Sequence, residues 1–134
     1  AFLHAEQQTE KCTRMTLTLG INYGGRQDIL KAAQTAIQKF SEKNQLQQHE
    51  FEMGLNTSSL PDVDLLIRTG GEKRLSNFVL WEISYAELYF TDVLWPDFTL
   101  QDLSMAIKDY YGRHRRYGGD NVGEDDAVET FISA

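Results

Sequence analysis

From Met15 to Ile21 the chain alternates without a break, with Met15, Leu17, Leu19 and Ile21 on one side and Thr16, Thr18 and Gly20 on the other. A period of two is the spacing of a strand. Then the period changes. Ile29, Ala33, Ile37 and Phe40 recur at three- and four-residue intervals, which predicts a helix buried along that face, with Asp28 in its first turn. Asn22-Tyr23-Gly24-Gly25-Arg26 joins the two, so strand, Gly-Gly turn and helix form half of a βαβ unit. Further on, the apolar run Val63 to Ile67 reads as a buried strand, Leu75 to Trp81 as a short helix, and Ala86 to Phe90 as another strand. Leu103, Ile107, Tyr110 and His114 share one face of a last helix, predicted to end near Gly118-Gly119. Thr99 can cap that helix, although Gln101 and Asp102 do not complete a capping box. Residues 1–14 read as the end of a polar helix, Ser41 to Gln48 as a loop, and His49 to Leu55 as one or two helical turns. Trp81, Phe90 and Trp95 read as core. The expected class is α/β, with a mostly parallel sheet flanked by helices.

Composition narrows the choice. A length of 134 residues allows one domain with one core. No apolar run approaches the roughly 18 residues of a membrane span. One cysteine, Cys12, excludes an internal disulfide framework and points to a reducing, cytoplasmic compartment. The net charge of −7 argues against nucleic acid as a partner. Residues 120–134 hold five acids and no base, so the rest of the chain is close to neutral and its basic clusters dominate their own surroundings. That acidic stretch, with little to bury, is expected to be a flexible tail after a domain of residues 1–119.

The candidate chemistry begins where the Val63 strand ends, at Arg68-Thr69-Gly70-Gly71, followed by Arg74 and Ser76. Ligands of open α/β sheets bind beyond the carboxyl ends of the strands. A double glycine can turn backbone N–H groups towards an anion. Guanidinium groups grip phosphate oxygens in a fork, and a serine adds a neutral donor. The pattern suits a phosphate or diphosphate. On spacing alone, Arg68 and Arg74 could equally pair with Glu72, Glu82 or Asp64 on a solvated face. Glu87, set among apolar neighbours, needs a cation, a proton or a metal. His4, His49 and His114 lack zinc-ligand spacing.

Three ordered blocks carry a resemblance: Asn22-Tyr23-Gly24-Gly25-Arg26, the long stretch Ile67 to Phe98, and Arg115-Arg116-Tyr117-Gly118-Gly119. Together the chain resembles the C-terminal portion of the cis-prenyltransferases, the undecaprenyl diphosphate synthase family. The resemblance implies the second half of that fold. It also implies condensation of isopentenyl diphosphate onto an allylic diphosphate, building a cis-polyprenyl diphosphate. In that family the residues matching Arg68, Arg74 and Ser76 hold the diphosphate of isopentenyl diphosphate. Those matching Asn22 and Arg26 lie near the active site, and the match to Glu87 helps hold Mg2+. Arg116 and Gly118 match an R-x-G element that reaches across a homodimer interface. A growing hydrocarbon chain implies an apolar cleft, and release of its product a peripheral contact with a membrane.

The family's D-G-N-x-R block, which carries the essential Asp, has no match here, so no catalytic residue is expected within this chain. Accordingly, the chain is not expected to turn over alone. A non-catalytic partner subunit of a two-component prenyltransferase, a diphosphate-binding module and a degenerate remnant of the enzyme are the alternatives.

Overall fold

The parallel pairing of two short strands sets the architecture. The computed structural model describes residues 2–114, in the order α1 (Phe2–Thr9), α2 (Gly25–Lys39), α3 (Gln48–Glu52), β1 (Leu65–Arg68), β2 (Glu87–Phe90), a 3-10 turn (Trp95–Asp97) and α4 (Leu100–Tyr111). β1 and β2 run parallel, with Leu65 opposite Glu87 and Arg68 opposite Phe90. β2 packs against α4, and α2 against α3. This is the α/β arrangement expected from the pattern, with the parallel sheet and helices in place.

The helices follow their sequence with informative shifts. The buried stripe of α2 is Gly25, Asp28, Ala32 and Ala36, one step behind the expected one, and Ile37 is 70% exposed. Small residues line the stripe because α3 comes close: a Cβ on Gly54 would lie 2.7 Å from the Cα of Ala32. α4 does carry a capping box, contrary to the expectation. The Thr99 hydroxyl accepts from the Asp102 N–H, and Asp102 Oδ2 accepts the Thr99 N–H at 2.8 Å. Aspartate is short for this reciprocal bond but reaches, and the Thr99 hydroxyl, then the Thr99 N–H, hold its carboxyl below the usual range. The helix stops at Tyr111 with Gly112 as its cap, well before Gly118.

Three sequence expectations give way. Met15 to Ile21 forms no strand: among the described residues the sheet has two strands, and Met15, Leu17, Leu19 and Ile21 are all more than half exposed. Period two identifies a chain with two faces, but strand structure also requires a neighbouring backbone to bond. The segment instead borders an apolar cleft of about 540 Å3 whose opposite wall is Leu65 to Ile67 of β1. Leu75 to Trp81 is not a helix but a series of turns, because Ser76, Asn77 and Val79 all adopt positive φ (50°, 65° and 38°). Trp95 is not core; it is 75% exposed and stacks on Phe98 with ring centroids 6.2 Å apart. No helix among the described residues is long and apolar enough to cross a membrane.

Candidate diphosphate site

Arg68 is the last residue of β1, so the strand itself aims it at the carboxyl end of the sheet. From there its guanidinium Nη1 donates to Ser76 Oγ at 2.8 Å and to the carbonyl oxygen of Arg74. Three residues that the sequence marked separately are thus one cluster, and the Arg68 side chain is its hub. Arg74 itself is exposed and forms an ion pair with Glu72, one of the acids anticipated for it. That pair is in water and is weak enough to open for a stronger anion.

The Gly-Gly turn works differently from the expectation. Gly70 and Gly71 do take positive φ, 89° and 78°. Their N–H groups, however, do not point to an open anion site: Gly70 donates to the Val93 carbonyl at 2.8 Å and Gly71 to the Thr91 carbonyl at 2.9 Å. The glycines extend the pairing with the chain beyond β2. Donors left to face a ligand at this corner would be side chains.

Asn22 (φ 53°) and Arg26 flank the start of α2 and are exposed. Between them Tyr23 meets Phe78 edge to face, centroids 5.9 Å apart. The two motif blocks are tied by Asn77, which sequence reasoning missed: its carbonyl accepts the Gly25 N–H at 2.7 Å and its Oδ1 accepts the Arg26 N–H at 2.9 Å. Beneath this junction Asp28 Oδ1 accepts the Asn56 N–H at 3.0 Å, and the Thr57 hydroxyl donates to Glu82. Burial, then the nearby Glu82 and Asp28 carboxylates, hold the Tyr23 hydroxyl protonated, above the ordinary tyrosine range.

Glu87 does not join the cluster. It opens β2, level with Leu65, while Arg68 closes β1 three residues further along, about 10 Å away at some 3.3 Å per residue. Its Oε2 accepts from Arg113 Nη1 at 2.8 Å, and Arg113 also donates to the Leu88 carbonyl at 3.1 Å and to Asp109 at 2.5 Å. The two carboxylates, Glu87 first, raise the Arg113 pKa above its usual value. A magnesium ion held by one carboxylate takes its other ligands from substrate phosphates and water. In this structure Glu87 is met by a guanidinium, and the described residues hold no group of three or more His, Cys, Asp or Glu side chains that could by itself hold a metal ion. Arg116 and Gly118 lie outside the described residues.

A guanidinium–serine cluster at the carboxyl end of a parallel sheet stands where ligands of open α/β sheets bind. The comparisons then narrow the class. The family model described as "Putative undecaprenyl diphosphate synthase" matches residues 1–118. Over 119 residues the chain is 50% identical to the ditrans,polycis-undecaprenyl-diphosphate synthase ((2E,6E)-farnesyl-diphosphate specific) of Haemophilus influenzae, covering 86% of this chain and 50% of that one. It is 52% identical over 113 residues to an isoprenyl transferase of Treponema denticola, covering 83% and 48%. Among solved structures, lavandulyl diphosphate synthase from Lavandula x intermedia, in complex with dimethylallyl diphosphate, superposes with a TM-score of 0.78 at 38% identity, covering 87% of this chain and 52% of that one. A probable undecaprenyl diphosphate synthase from Campylobacter jejuni gives 0.74 at 37%, covering 87% and 53%. The chain belongs to the undecaprenyl diphosphate synthase family of prenyltransferases. It spans about half the length of the relatives it matches.

Proposed function

We propose that this chain supplies the isopentenyl diphosphate site of a cis-prenyltransferase that condenses isopentenyl diphosphate with an allylic diphosphate, giving a cis-polyprenyl diphosphate of the undecaprenyl type. The observation that carries the reading is the convergence of Arg68, Ser76 and the Arg74 backbone on one guanidinium at the carboxyl end of β1. In this role Arg68 and Ser76 grip the diphosphate of isopentenyl diphosphate, and Arg74 exchanges Glu72 for a phosphate oxygen. Each charge-assisted bond contributes about 1.5–3 kcal/mol. Asn22 and Arg26 border the same corner. The apolar cleft beside β1, lined by Leu19, Leu66, Ile67 and Phe78, suits hydrocarbon rather than charge.

The reaction also needs an allylic diphosphate site and the D-G-N-x-R block, which have no match in this sequence. The reading therefore assigns turnover to the assembled family domain, as a cytoplasmic homodimer with Arg116 and Gly118 at its interface and a peripheral membrane contact for product release. Mg2+ is the cofactor of that assembly. Glu87, here paired with Arg113, would join its ligands only by giving up that pair. The test is direct: Arg74→Ala in a protein carrying the whole domain raises the KM for isopentenyl diphosphate. An unchanged KM removes Arg74 from the site, and incorporation of labelled isopentenyl diphosphate by the present chain alone refutes the division of labour.

A further inference from the structure

We propose that Asn77 is a positioning residue that sets where Ser76 stands in the diphosphate site, by capping α2 from across the fold. The start of α2 is left open by its own sequence. Its N-cap is Gly24, which has no side chain to satisfy the first N–H groups. Asn77 does that work from fifty residues away. Its carbonyl takes the Gly25 N–H (2.7 Å), its Oδ1 takes the Arg26 N–H (2.9 Å), and its Nδ2 donates to Gln27 Oε1 (3.2 Å). One residue thus bonds three consecutive residues of the helix.

The adjoining turn needs such an anchor. Ser76, Asn77 and Val79 all hold positive φ, a region that asparagine tolerates, serine less so and a β-branched valine least of all. Backbone of this kind persists only where surrounding bonds over-determine it. With Asn77 fixed to α2, the preceding Ser76 is presented to Arg68 Nη1 at 2.8 Å. Without it, the turn is free to relax and Ser76 leaves the guanidinium. The same anchor sets the distance between the Asn22–Arg26 block and the Arg68–Ser76 cluster, because it belongs to both.

Two measurements on the full chain test this, and the first rests on the diphosphate reading above while the second does not. Calorimetric titration with inorganic diphosphate compares the unmodified chain with Asn77→Gly, which keeps the positive φ and loses only the side-chain bonds, with Ser76→Ala, and with the double variant. Each single change is expected to weaken binding about tenfold, and the double variant no more than Ser76→Ala alone, since Asn77 acts through Ser76. Binding by Asn77→Gly within twofold of the unmodified chain, or effects that multiply in the double variant, overturns the proposal. Amide exchange reads the anchor itself. The Arg26 N–H should exchange faster in Asn77→Gly and stay protected in Asn77→Asp, which retains the acceptor. Equal protection in all three proteins overturns the anchor. If the unmodified chain takes up no diphosphate, the site reading fails for this chain and the exchange result alone decides. Should Asn77→Gly fail to fold, Asn77→Asp is titrated in its place: with the acceptor retained, its diphosphate affinity should stay within about threefold of the unmodified chain, and a tenfold loss overturns the proposal.

Discussion

The two ends of the small parallel sheet use the same residue types for opposite purposes. At the carboxyl end, Arg68 Nη1 donates to a neutral hydroxyl and a carbonyl, and no carboxylate among the described residues forms an ion pair with it. At the amino end, Arg113 is matched by two carboxylates, Glu87 and Asp109. An arginine is therefore not a phosphate ligand by type. What decides is how firmly its charge has already been met: one exposed carboxylate faces Arg74, two face Arg113. The first arrangement is the one the diphosphate proposal rests on, and the second ties α4 to β2.

The sharpest way to break this contrast is at its carboxyl end. Arg68→Ala should lower the affinity for isopentenyl diphosphate by about tenfold to a hundredfold, the loss of a charge-assisted bond, measured by calorimetry. An effect under twofold would remove the hub. The amino end should respond in a different currency. Glu87→Gln is expected to leave diphosphate affinity within about twofold and to destabilise the fold by about 1 kcal/mol, small because both partners are partly in water, as read from the urea midpoint. Weakened diphosphate binding without a stability change would return Glu87 to the site.

Tyr23 gives a pH signature. Its folded pKa is raised, so its contribution is fully present below the unfolded value near 10 and is lost as pH climbs through the higher folded value. The chain should thus lose stability above about pH 10, and Tyr23→Phe should flatten that limb of an unfolding-against-pH curve. The smallest effect concerns neither end: Thr99→Ala removes the α4 cap and should cost about 1 kcal/mol or less, with diphosphate binding unchanged.

The sequence made some of this contrast readable and hid the rest. Arg68 follows its apolar run and Glu87 precedes its own; once the strands are parallel, those positions fall at opposite ends of the sheet. That signal was present, but only pairing direction gives it meaning. The clustering of Arg68 with Ser76 was legible because both belong to one short stretch. The bonds of Gly70 and Gly71 were not, since a glycine pair announces a turn without saying which carbonyls its N–H groups will meet. Asn77 was invisible for a related reason: its partners lie some fifty residues upstream, and no local pattern marks a cap supplied from a distance. The missed strand at Met15 to Ile21 had the right faces, but alternation says nothing about a neighbouring backbone.

The bond from Asn77 to the start of α2 also bears on the order in which the chain matures. A ribosome releases α2 long before residue 77, and the helix has no cap of its own on Gly24. At synthesis rates of about 5–20 residues per second, the intervening fifty residues take on the order of three to ten seconds. During that interval the first turn of α2 frays in water, and the Asn22–Arg26 block has no fixed place. The helix acquires its beginning only after the phosphate-binding turn has been made, so the two motifs mature together.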